Sequence, residues 1–228
     1  GTTTAPYSSG QNNTAIGQNT FDAFTTANEV VAIGNYAGSA VTTGGYHVLI
    51  GYQAGQSITG GNFITHVGYR AGRYNTGAYN TSLGYGALIG VNGSSTGGNN
   101  VAIGYNALTS LTTAVSSTVM GFEAGRDITS GNSNVLYGYK SGYNLTTGGH
   151  NTALGYEALY TDTDGDYSTA VGYRALYSQD GDRLNVGLGN NTLYYNQSGT
   201  KNTAIGYASM QGASGNSHNT NTAVGYQS

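Results

Sequence analysis

The chain has no cysteine and no tryptophan, and a single proline among 228 residues. Without cysteine there is no disulfide staple and no thiol chemistry. Charge is nearly as scarce: Asp, Glu, Lys and Arg together make up 7% of the residues, against about 25% in an ordinary domain. Seven scattered basic residues and a net charge of −3 provide no footprint for nucleic acid. No apolar run approaches the ~18–20 residues that span a membrane as a helix. Long helices are disfavoured by glycines, β-branched residues and tyrosines at short intervals. Glycine and tyrosine are abundant, at 39 and 21 residues.

These residues recur on a beat. A glycine after a small-then-large pair falls at Gly17, Gly34, Gly51, Gly68, Gly84, Gly104, Gly121, Gly138, Gly155, Gly172, Gly189, Gly206 and Gly225. The step is 17 residues except for single steps of 16, 20 and 19. Taking this glycine as position 0, position −3 is always Thr or Val, and −1 is large and apolar apart from Tyr137. Position −2 is usually Ala, +1 usually Tyr, +3 always Ala, Ser or Thr, and −4 most often Asn. A 17-residue unit is too short for a helix pair or a propeller blade and suits one coil of a β-solenoid. The sequence therefore predicts an all-β parallel solenoid, or β-roll, of about thirteen coils, forming one repeat domain over 1–228. Turns are expected at "TTGG" and "ITGG", and extra loops near 91–98 and 212–218. The chain opens without methionine and stops inside a thirteenth copy, so a fragment whose downstream domain has been removed is expected.

Alternation assigns the columns to two faces. Thr/Val at −3, the large residue at −1 and, with them, the tyrosine at +1 are expected to fill the coil. Ala and Gly then form an outward face of small residues, read as a contact surface between identical solenoids; a bare exposed sheet is the alternative. At +2, Glu123, Lys140, Glu157 and Arg174 would stack with alternating charge, each exposed pair contributing ~0–1 kcal/mol.

The repeat "NTAIGYxAL…TTG" resembles the head repeats of trimeric bacterial adhesins, most closely at "NVAIG" (100–104), "NTAIG" (13–17 and 202–206) and "NTAVG" (221–225). With tyrosine after the glycine it is also similar to the shafts of phage tail fibres and tailspikes, which often precede a self-cleaving chaperone domain. The resemblance implies a homotrimer and a role in host attachment. It makes the expected function the structural and receptor-binding part of a viral tail fibre. Its partner would be a host-surface glycan or protein, with no nucleic acid and no membrane insertion. A bacterial surface adhesin head, also extracellular, is the alternative, and an ice-binding solenoid ranks lower.

No catalytic pattern is present, and the chain is read as a non-enzyme. Paired carboxylates for polysaccharide cleavage would be sought only at the turns 162–166 and 180–182. His47, His66, His150 and His218 occupy unlike repeat positions. The acidic "TDTDGDYS" lets Asp162, Asp164 and Asp166 offer oxygen ligands to Ca2+, though not as an EF-hand. Tyrosines off the main column, Tyr74, Tyr79, Tyr160, Tyr177 and Tyr195, are the candidate ligand-binding residues, because aromatic faces stack on sugar rings.

Overall fold

The structure is a computed structural model that describes residues 9–181, 184–213, 217 and 219–228. His218 and Asp182, both singled out in the sequence, lie outside the described residues. Within each compact unit every strand is parallel to its neighbour and about one repeat from the next, and no helix is present among the described residues. The fold is a β-solenoid. The chain divides into two compact units, Gly1–Val115 and Ser116–Ser228.

The first unit holds β1 (Thr14–Ile16), β2 (Asn28–Ile33), β3 (Gly45–Ile50), β4 (Asn62–Val67), β5 (Thr81–Leu83) and β6 (Val101–Ile103). The second holds β7 (Thr118–Met120), β8 (Val135–Tyr137), β9 (Thr152–Leu154), β10 (Thr169–Val171), β11 (Val186–Leu188), β12 (Thr203–Ile205) and β13 (Thr222–Val224). Register follows the repeat: Thr14 pairs Val31 and Ile16 pairs Ile33 in the first unit. Thr169 pairs Val186 and Val171 pairs Leu188 in the second. The extra loop at the 20-residue step is present, with 91–94 exposed.

The two faces are the reverse of the expectation. Position −2 is the inward one: Ala32, Ala102, Ala153, Ala170 and Ala204 are fully buried. The Thr/Val column at −3 and the Ile/Leu column at −1 point outward, half-buried or exposed. The physical reason is width. A 17-residue coil encloses little space, and the interior is shared by −4, −2, +3, +4 and +7 from every wall. Only small residues fit at several of these positions, so the alanines go in and the bulky columns go out.

The interior volume is balanced within the coil. Where +4 is leucine (Leu108, Leu159, Leu176), −2 is Ala102, Ala153 or Ala170. In three coils where +4 is glycine, −2 is large: Leu49 with Gly55, His66 with Gly72, Leu136 with Gly142; Gly38 stands with Ala32 instead, and its space is taken by Leu49 of the next coil. A Cβ added at Gly142 would lie 2.8 Å from Leu136 Cδ1, and one at Gly72 would meet the His66 ring at 2.1 Å. Leucine or glycine at +4 is held in the left-handed region, with φ of 55° at Leu159 and 59° at Gly142.

The asparagines at −4 form a buried ladder. Asn151 accepts from the Ser168 amide at 2.8 Å through Oδ1 and donates to Gly165 O through Nδ2. Asn134 accepts from the Asn151 amide and donates to Gly148 O. In β2, β3 and β4 the −4 residues are Val30, His47 and Ile64, and there the backbone ladder itself extends to six-residue strands. Side-chain amide and backbone thus alternate in satisfying the same interior groups.

Candidate functional site

Two surfaces compete as the working part of the molecule: the outer sheet face and the turn edge with its acidic loop. On the outer face, the tyrosines at +1 are exposed, not core. They stack on one another from coil to coil. In the first unit, Tyr52–Tyr69, Tyr69–Tyr85 and Tyr85–Tyr105 have ring centroids 5.2, 4.8 and 5.1 Å apart. In the second, Phe122–Tyr139, Tyr139–Tyr156 and Tyr156–Tyr173 repeat this at 5.3, 4.9 and 5.3 Å. Beside them runs the bare apolar column at −1, where Leu83 is 49% and Leu188 45% exposed. Isolated exposed apolar residues are ordinary, whereas a continuous band marks an interaction surface.

The +2 column bounds the tyrosines with charge. Arg174 pairs with Glu157 at 2.8 Å and Lys140 with Glu123 at 3.6 Å, both partly exposed. These pairs set register and solubility and contribute little stability.

The candidate tyrosines do not converge. Tyr160 and Tyr177 belong to a second ladder, Tyr143–Tyr160–Tyr177–Tyr194, with centroids 5.2, 5.1 and 4.9 Å apart. Tyr195 meets Tyr194 edge-on. Tyr79 lies in a third row, stacked on Phe63, and Tyr74 sits under the Arg73 guanidinium. Rings sandwiched in a ladder have both faces taken by neighbours, so Tyr160 and Tyr177 offer outward only edges and hydroxyls. Burial and then the nearby Glu157 carboxylate push the Tyr177 phenol above its usual value.

At the acidic turn, Asp162, Asp164 and Asp180 bring carboxylate oxygens within 4.8 Å of one another. Asp166 is not in that group; its carboxylate accepts from the Gly149 amide. Asp162 occupies the interior column at +7, the slot of Ile58, Ile128 and Leu145 in other coils. Its oxygens accept from the Gly165 and Gly181 amides and from Gln179 Nε2, at 2.9, 3.0 and 2.8 Å. Burial raises its pKa, and those three donors oppose the rise. The residue is built into the coil interior, and the exposed carboxylates of the turn are Asp164 and Asp180.

His47 and His66 are buried in β3 and β4. Both nitrogens of His47 and Nε2 of His66 lack a hydrogen-bond partner, while His66 Nδ1 lies 2.8 Å from Ser82 Oγ. Burial lowers His47 to about 4 and His66 to about 3. Among the described residues no helix is long and apolar enough to cross a membrane. Comparison of the chain with known protein families, with curated proteins and with solved structures finds no match in any of the three.

Proposed function

We propose that this chain is a structural and receptor-binding part of a viral tail fibre, working outside the cell as a homotrimer that attaches the particle to its host. The observation that carries this reading is the uncharged outer face, where apolar side chains and tyrosine ladders repeat coil after coil without polar cover. Burying such a face against copies of itself gives a rigid fibre, and the turn edges remain free to meet a host-surface glycan or protein. The resemblance of the repeat to tail-fibre shafts supports the same reading. A bacterial surface adhesin head would share all of this physics and differ only in what carries it.

Sedimentation at micromolar concentration tests the assembly: the expected mass is three times the 23.3 kDa chain. Labelled chain is expected to bind intact host cells. A monomer in solution, or cells left unlabelled by a trimer, removes the assembly or the attachment half respectively.

One observation favours a second reading. The Thr/Val column, expected inside, points outward at the even strand spacing, as an ice-binding face requires. Valine at five of its thirteen positions and the rows of rings beside it disrupt a flat hydroxyl array. Thermal hysteresis of freezing is expected to be absent, and its presence would favour ice binding over attachment.

A further inference from the structure

We propose that a pocket beside the 91–94 loop, on the turn edge of the first unit, binds one neutral sugar ring, a pyranose with free hydroxyls. The inference rests on the reading that the chain attaches to a host surface, and it names what this part of the edge would hold. The pocket encloses about 200 Å³ and is lined by Ser57, Tyr74, Thr76, Asn92, Ser95 and Thr96. It lies where the regular beat breaks. The step from Gly84 to Gly104 is 20 residues against the usual 17, and the extra length lets the chain leave the coil after Gly90. Gly90 and Gly93, both with φ of 74°, turn the loop out and back, and the Ser94 amide donates to Val91 O at 3.0 Å. Asn92 thereby joins Ser57 and Tyr74, from the two preceding coils, around one space.

The coil interior at the pocket is polar where neighbouring coils are apolar. Val41, Ile58 and Leu111 fill position +7 in other coils of this unit, whereas Asn75 fills it here, fully buried. Asn75 Nδ2 donates to Ser95 Oγ at 3.1 Å and to Gly97 O at 3.0 Å. Its Oδ1 accepts from the Gly77 amide and from Asn80 Nδ2. Thr76 Oγ1 donates to Ser95 O at 3.0 Å. A satisfied buried network of this kind is rigid, so Thr76 and Ser95 are held in place. The other polar side chains of the pocket are uncommitted: those of Ser57, Tyr74, Asn92 and Thr96 make no hydrogen bond among the described residues.

The ligand class follows from these groups. Hydroxyls and a carboxamide each offer both donors and acceptors, which suits a ligand whose own polar groups are hydroxyls. No lining residue is charged, so a carboxylate, phosphate or ammonium would enter without a counter-charge. A wholly apolar ligand would strip water from the hydroxyls and return no hydrogen bond. Tyr74 supplies the apolar surface that the carbon skeleton of a sugar needs. Its ring stacks on no other aromatic among the described residues, unlike Tyr160 and Tyr177. The Arg73 guanidinium lies 4.5 Å from the Tyr74 centroid and covers one face, while Arg73 Nε donates to Gln56 Oε1 at 2.9 Å. Size sets the length of the ligand. Pockets for drug-sized molecules run to ~300–1,000 Å³, so about 200 Å³ takes a single ring. The matching trough of the second unit, lined by Thr161, Ser178, Asp180, Gln197 and Ser198, has no aromatic ring and carries a carboxylate, so it lacks both features.

The test is saturation-transfer NMR on the full chain with the methyl pyranosides of glucose, galactose, mannose and N-acetylglucosamine, and with N-acetylneuraminic acid as the charged comparison. At least one neutral pyranoside is expected to receive transfer, with weak affinity on the order of millimolar, because one ring buries little surface. Tyr74→Ser copies Ser57, which fills position +6 one coil earlier. It and Asn92→Ala are each expected to weaken binding at least ~tenfold with the circular dichroism spectrum unchanged. Tyr195→Ser, at +6 in the second unit, is expected to leave binding as it was. Transfer to no neutral pyranoside, or to N-acetylneuraminic acid alone, overturns the inference, and labelling of host cells by the same chain then leaves the attachment reading standing. Transfer that survives both Tyr74→Ser and Asn92→Ala overturns this pocket as the site. Pyranoside binding that these variants abolish, in a chain that leaves host cells unlabelled, upholds the pocket and overturns the attachment reading.

Discussion

A methyl group at Gly155 would lie 2.2 Å from the carbonyl oxygen of Gly172, and φ there is 143°. The same contact recurs at Gly34 on Gly51, Gly121 on Gly138 and Gly189 on Gly206. The repeat glycine is therefore fixed by close backbone approach between coils as well as by its dihedral. Gly155→Ala is expected to cost at least ~2 kcal/mol in urea unfolding, a strain and clash effect. Glu157→Asn, two residues on at a left-handed position with φ of 51°, is expected to stay within ~1 kcal/mol of the parent chain. The buried histidines give a second residue-scale test. Their pKa values are depressed in the fold, to about 4 for His47 and about 3 for His66, so the unfolded chain binds protons first as the pH falls. Their contribution is complete above the unfolded value near 6.5 and is lost as the pH drops below it, by on the order of 3 kcal/mol each at pH 4. His66→Leu copies the arrangement of Leu49 opposite Gly55 in the preceding coil. It is expected to reduce the slope of stability against pH between 6.5 and 4; an unchanged slope would show that His66 is not the group responsible.

At the scale of the coil, the unit of design is a pair of volumes. Leu136 fills space left by Gly142, whereas one coil later Ala153 leaves space for Leu159. Leu136→Ala is expected to cost ~2–5 kcal/mol by opening a cavity. Gly142→Leu alone is expected to be destabilising because its side chain would run into Leu136. Together they rebuild the Ala153–Leu159 arrangement, and the double variant is expected to be more stable than either single one, with a coupling of at least ~1 kcal/mol in a double-mutant cycle. The period and the strands at −3 to −1 were legible in the sequence, whereas this pairing emerges only from the structure. Which face is inside was not legible either. Period two sorts Ala153 from Thr152 and Leu154, but hydrophobicity alone sends the larger residues inward. The signal that outweighs it is the room available: Leu159 and Leu145 must also be inside, and with them in place only alanine fits at 153. Asp162 stands in a column where other coils place Ile128 or Leu145, and aligning that column would have marked it as interior.

For the molecule as a whole, the inverted faces change which substitutions should affect folding and which should affect assembly. Ala153 is completely buried and Leu154 is 37% exposed, although they are adjacent in β9. A lysine at 153 would have to bury its ammonium group among Leu136, Leu159 and their neighbours, or open the coil to reach water. Ala153→Lys is therefore expected to prevent stable folding, lowering stability by more than ~3 kcal/mol. A lysine at 154 stays in water, and Leu154→Lys is expected to change the stability of an isolated chain by no more than ~0.5–1 kcal/mol. If the outer face is buried against other copies, however, the same lysine places a charge in an uncharged contact, and assembly should weaken strongly. Unfolding measured at high dilution separates the first effect from the second, which sedimentation at higher concentration reads. A Leu154→Lys chain that folds and assembles like the parent would mean that this stretch of the face stays in contact with water. The contact between copies would then have to lie elsewhere on the coil.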